Sequence, residues 1–112
     1  MQPEAKKFLW DASTAAARVA SFVAGKNLDD DLSDDLIRSA VERQLEIVGE
    51  ACNQLARLDP ETGARIPELG RLVAFRNVLA HGDAIVDNRL VWDLVQAKLP
   101  QLAKVLADLL AE

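Results

Sequence analysis

The stretch Asp34–Leu58, DDLIRSAVERQLEIVGEACNQLARL, decides the fold. Ile37, Val41, Leu45, Val48, Cys52 and Leu55 recur in it at steps of four, four, three, four and three. That spacing sets them on one face of an α-helix and does not fit the two-residue period of a strand. It predicts a helix from Ser33 or Asp34 to Leu58, opened by a side chain that can cap free N–H groups. Gly49 sits mid-helix, where glycine costs about 1 kcal/mol against alanine. Such a glycine permits close approach of a neighbouring helix or of a ligand.

The same period extends outward in both directions. Upstream, Phe8, Ala12, Ala15, Val19 and Phe22 form one stripe, predicting a helix from Pro3 to Ala24 that is stopped by Gly25. Lys26–Asp35 is polar and rich in aspartate and reads as a solvated loop leading to an N-cap. Downstream, Asp59–Pro60 begins a turn, Gly63–Pro67 is a connection, and a third helix runs from Glu68 to Ala80 with Leu72, Phe75 and Leu79 facing one way. It ends at His81–Gly82. After a loop at Asp83–Asp87, Leu90, Val91, Leu94 and Val95 mark another helix, and Pro100 opens or kinks the last one. Short connections favour antiparallel neighbours, so the expected fold is all-α: a single domain over residues 1–112, an up-and-down four-helix bundle with a broken last helix.

With 112 residues, half of them hydrophobic and 28% charged, the chain has the balance of one folded domain. The formal net charge of −5 argues against a protein that coats nucleic acid with lysines, but not against one that grips a single phosphate. One cysteine, Cys52, allows no internal disulfide. The expected location is the cytoplasm, with no membrane span and no secretory signal.

Chemistry is concentrated near position 81. His81 is the sole histidine and the one side chain whose ordinary pKa allows acid and base roles near neutrality. Asn77 lies four residues before it, on the same helix face, and Arg76 lies five before it, about 140° round the helix. A guanidinium, an amide and an imidazole are the groups that cleavage of RNA without a metal requires. The imidazole moves a proton to or from the reacting oxygens, and the arginine fork meets the negative charge on the phosphoryl group. By spacing alone the pattern also fits a histidine that merely caps the helix end.

Phe75–Gly82 resembles the Arg-x-x-x-x-His motif of HEPN ribonucleases, above all the HepT-like branch with its Arg-Asn-x-x-x-His-x-Tyr. Ala40–Ala51 resembles that branch's second-helix block ending in Gly-Glu-Ala, and Val91–Trp92 followed by Leu99–Pro100 is a weaker third match. The resemblance implies a HEPN-like bundle, a homodimer with two Arg/His sites on a shared cleft, and toxin-like ribonuclease activity. It also implies an antitoxin of the MntA-like minimal nucleotidyltransferase type, which in some systems adds AMP to the motif tyrosine. Arg76 and His81 would be catalytic, Asn77 supporting, and Glu46 and Glu50 possible second-helix contributors, with no cofactor and no metal. The motif tyrosine falls at Asp83, in a chain with no tyrosine at all. Tyrosine modification is therefore impossible here, and Asp83 is left as a supporting residue that can orient His81 but also repel a phosphate.

Other features have plainer readings. Glu42, Glu46 and Glu50 make a carboxylate ridge expected to pair with Arg38, Arg43 or Arg57. Cys52 reads as a small buried apolar residue, and Trp10 and Trp92 as core or dimer anchors. Asp29–Asp31 lacks the glycine and final glutamate of a calcium loop. Two functions follow: a metal-independent endoribonuclease toxin, or a non-catalytic HEPN scaffold that binds a nucleotidyltransferase or nucleotide. A purely structural dimer ranks below both.

Overall fold

A computed structural model of the chain describes residues 1–81 and 86–112, with the side chains of 1–80 and 86–112. Among the described residues there are seven helices and no strand: α1 (Pro3–Val23), α2 (Leu28–Leu32), α3 (Asp35–Leu58), α4 (Pro60–Gly63), α5 (Leu69–His81), α6 (Asn88–Ala97) and α7 (Leu99–Ala111). The expected all-α class is what the chain adopts.

Helix ends follow local chemistry. Asp34 caps α3 by accepting from the N–H groups of Leu36 and Ile37, at 3.0 and 3.2 Å. Asp87 caps α6 in the same way through Arg89 and Leu90. Gly25, at φ +72°, supplies the left-handed residue that ends the first helix. The last helix is broken at Lys98, and Pro100 sits in the first turn of α7, where its missing N–H has no intrahelical role.

The stretch read as a solvated loop contains a short helix instead. Asn27 and Asp30 form a reciprocal capping box, with both hydrogen bonds at 2.9 Å, and the aspartates of the first turn suit the positive end of the helix dipole. Asp31 is buried, because α2 packs on α3 and α6. The turn at Asp59–Pro60 likewise closes into α4, with the Asp59 carboxylate accepting from the Thr62 N–H at 3.1 Å and its hydroxyl at 2.7 Å.

α3 packs against both α1 and α5, and α7 packs against α1. Met1 and Gln2 lie beside Leu58 and Asp59, so α1 and α3 run antiparallel. The buried α1 residues are Ala5, Leu9, Ala12, Ala15, Ala16, Val19 and Val23, so Ala12, Ala15 and Val19 of the predicted stripe lie in the seam. The seam is wider than that stripe and is centred on Leu9 and Ala16 as well, while the bulkier Phe8 and Phe22 at its ends flank it half-buried. The α3 stripe holds as read, with Val41, Leu45, Val48, Cys52 and Leu55 buried and Ile37 at its edge. Each fully buried leucine, such as Leu9, Leu55 and Leu106, contributes on the order of 1.5–3 kcal/mol. Trp92 packs half-buried against this core, whereas Trp10 is 60% exposed and is no part of it. No described helix is long and apolar enough to cross a membrane.

Candidate active site

The α3–α5 contact is unusually close at Gly49. A Cβ at that position would stand 2.7 Å from both the Arg76 Cβ and the Leu72 carbonyl oxygen. The glycine noted in the sequence therefore exists for helix approach, and what it admits is the backbone turn that carries Arg76.

Arg76 points along this seam, its side chain 24% exposed. One of its terminal nitrogens, Nη2, forms an ion pair with Glu50 Oε2 at 2.8 Å. The other Glu50 oxygen accepts a hydrogen bond from Gln54 Nε2 at 2.9 Å. Arg76 Nε is buried with no partner among the described residues. Burying such a donor costs roughly 1–3 kcal/mol. These residues line one side of a groove of about 320 Å³, with Phe8 and Asp11 of α1, Arg43, Glu46, Ile47 and Ala51 of α3, and Ala80 of α5.

The groove's charges are largely paired. Glu46 meets Arg43 at 3.4 Å, and Asp11 meets Lys7 at 3.7 Å. Three lining carboxylates face two guanidiniums, so the groove is no basic trough. The Arg76–Glu50 pair is partly open to solvent, Glu50 being 46% exposed, and such pairs contribute at most about 1 kcal/mol. A phosphate oxygen can therefore compete for or share the guanidinium at small cost.

The sequence-derived site residues fall as follows. Arg76, Glu50 and Glu46 share one groove. Asn77 is exposed and does not line it. Position 81 ends α5, so the helix is unbroken from Arg76 to His81 and the two Cα positions remain about 140° apart around its axis. The His81 side chain and the whole of Asp83 lie outside the described residues. The carboxylate ridge pairs as expected for Glu46, with Arg43; Glu50 instead takes Arg76, a partner 26 positions away that helical spacing cannot reveal. Gln54 was missed, although its place one turn after Glu50 was a signal. Glu42 has its pKa raised, chiefly by burial. Cys52 is buried, which pushes its thiol up to about 12 and leaves it inert as a nucleophile.

The family described as "Ribonuclease HepT-like" matches residues 12–109 of the chain. Over 101 residues the chain is 31% identical to "Putative RNase MJ1380" of Methanocaldococcus jannaschii, an alignment covering 90% of this chain and 92% of that protein. It is 34% identical over 106 residues to "Probable ribonuclease HepT" of Thermococcus cleftensis, covering 91% and 92%. A third relative, "Putative RNase TTE0752" of Caldanaerobacter subterraneus, is 28% identical over 79% of this chain. No solved structure matches this chain.

Proposed function

The chain belongs to the HepT-like ribonuclease family, and on that premise we propose that it is a metal-independent endoribonuclease cutting RNA through Arg76 and His81, as the toxin half of a toxin–antitoxin pair. The observation that carries this reading is the placement of Arg76. It stands in an open groove, braced on one edge, with a half-exposed carboxylate as its only partner among the described residues.

In the proposed reaction the ribose 2′-hydroxyl attacks the adjacent phosphorus. Its proton leaves to a base, the 5′-oxygen departs and gains a proton, and a 2′,3′-cyclic phosphate and a 5′-hydroxyl result. His81 serves one of these transfers. The Arg76 guanidinium neutralises the charge that builds on the non-bridging oxygens, a role otherwise open to a metal ion. Asn77, one helical turn before His81 and outside the Arg76 groove, orients the imidazole.

The proposed assembly is a cytoplasmic homodimer with two such sites, neutralised by a cognate minimal nucleotidyltransferase. With Asp83 in place of the motif tyrosine, that partner must act by covering the cleft or modifying a different residue. The non-catalytic scaffold remains the second reading, favoured by the carboxylate-rich lining of the groove.

The test is to incubate the purified protein with RNA in excess EDTA beside His81→Ala. Cleavage that is abolished by the substitution supports the nuclease. Cleavage that survives it removes His81 from the mechanism, and no cleavage at any protein concentration favours the scaffold.

A further inference from the structure

Taking Arg76 as the phosphate-binding group, the arrangement around it assigns a role to a residue outside the motif. We propose that Gln54 is a positioning residue, acting through Glu50 to hold Arg76 ready for the phosphate.

An arginine side chain carries about 2 kcal/mol of rotamer entropy, and a guanidinium left free must be ordered at the moment of reaction. α3 removes that freedom from three sides. Gly49 lets the Arg76 backbone come within contact of α3. On the next residue, the Glu50 carboxylate takes Arg76 Nη2 at 2.8 Å. One turn further, Gln54 Nε2 donates to the opposite Glu50 oxygen at 2.9 Å.

The chain Gln54–Glu50–Arg76 thus gives each carboxylate oxygen its own partner, which disfavours a swing of the carboxylate into the groove with the guanidinium. The donor end of the Gln54 amide must face Glu50, since its oxygen would be repelled by the carboxylate. Of the guanidinium nitrogens, Nη2 is engaged and Nε is buried. The remaining one, Nη1, has no partner among the described residues and is the edge left for a phosphate oxygen. Gln54 lines the same groove without contacting Arg76, so its influence must pass through Glu50.

A double-mutant cycle separates positioning from general support. Gln54→Ala is expected to lower kcat/KM on RNA about three- to tenfold, the size of an orientation loss rather than of a lost transition-state contact. Gln54→Glu, which cannot donate and repels Glu50, should cost at least as much. In a Glu50→Ala background the Gln54→Ala effect should vanish. An unchanged loss there overturns the proposal, as does faster cleavage by Gln54→Ala, which would make Glu50 a brake.

A second readout needs no activity. The Arg76 Nε–H resonance in ¹⁵N spectra should shift and broaden in Gln54→Ala and in Glu50→Ala alike, while the thermal midpoint stays near that of the wild type. A resonance indifferent to Gln54 refutes positioning. If wild type and Arg76→Ala are equally inactive while the resonance still responds, the nuclease reading fails and the positioning chain stands.

Discussion

Gly49→Ala sets two opposing terms against each other. In an open helix the substitution would stabilise by about 1 kcal/mol, because alanine loses less backbone entropy. Here the new Cβ meets the Arg76 Cβ and the Leu72 carbonyl oxygen, each at 2.7 Å. Neither is the loose end of a side chain; both move only with the α5 backbone. Reaching an ordinary 3.4 Å contact requires α5 to retreat by about 0.7 Å, the difference between the two distances. Overpacking of this kind costs roughly 1–3 kcal/mol, which outweighs the helix-propensity gain. The expected net is a loss of up to about 2 kcal/mol, or several degrees in Tm for a domain of this size. The same retreat displaces Arg76, and a misplacement approaching 1 Å at a reacting centre can cost on the order of 100-fold in rate. Urea denaturation and RNA cleavage, measured on the same preparation at a temperature where the variant is folded, report the two effects separately. A Gly49→Ala protein that is more stable than wild type and equally active would refute the close-approach reasoning.

Three further outcomes are expected. Cys52 should resist a thiol reagent at pH 8 in the native protein and react once urea unfolds it, since burial lifts its pKa to about 12; rapid native labelling would contradict the packing of α3. Asp31 and Glu42 have pKa values raised by burial, so their ionisation favours the unfolded chain: stability should rise as pH falls from neutrality through their folded values, and the gain should be complete below the ordinary values of 3.8 and 4.5. Asp59, held below its ordinary 3.8 by Thr62, acts with the opposite sign and only at more acid pH. Asp31→Asn should therefore be more stable than wild type at pH 7 and gain less on acidification, checked by urea titrations across a pH series. Glu46→Gln removes a carboxylate from the groove and should lower KM for RNA about two- to fivefold with kcat little changed; a raised KM would show that Arg43 needs its partner more than the RNA needs the charge removed.

The long helices were legible because their apolar residues repeat over several turns and their ends carry Asp34, Gly25 and Pro100. The two short helices were not. α2 and α4 depend on single side chains, Asn27 with Asp30 and Asp59 with Thr62, which in sequence look the same as polar loop residues. In α1 the middle of the predicted stripe, Ala12, Ala15 and Val19, is buried as read, but its alanines fit either of two adjacent faces, and only tertiary packing buries Leu9 and leaves Phe8 at the edge. Trp10, 60% exposed, lies outside the core, which removes one of its two expected roles, the core anchor. At the site, the sequence put Arg76 and Asn77 on one helix and marked Gly49 as an anomaly on another; the structure brings Arg76, and not Asn77, to the groove beside Gly49. The pairing of Arg76 with Glu50 was invisible, because it joins elements by tertiary packing and no periodicity within one helix encodes it.

The most direct test concerns Arg76 itself. Single-turnover cleavage of a defined RNA in EDTA should fall at least a hundredfold in Arg76→Ala, with Arg76→Lys rescuing only in part because an ammonium cannot reproduce the planar fork. Residual wild-type product should carry 2′,3′-cyclic phosphate ends. Cleavage by Arg76→Ala at the wild-type rate, from a protein of unchanged Tm, would contradict the placement of the phosphate in this groove.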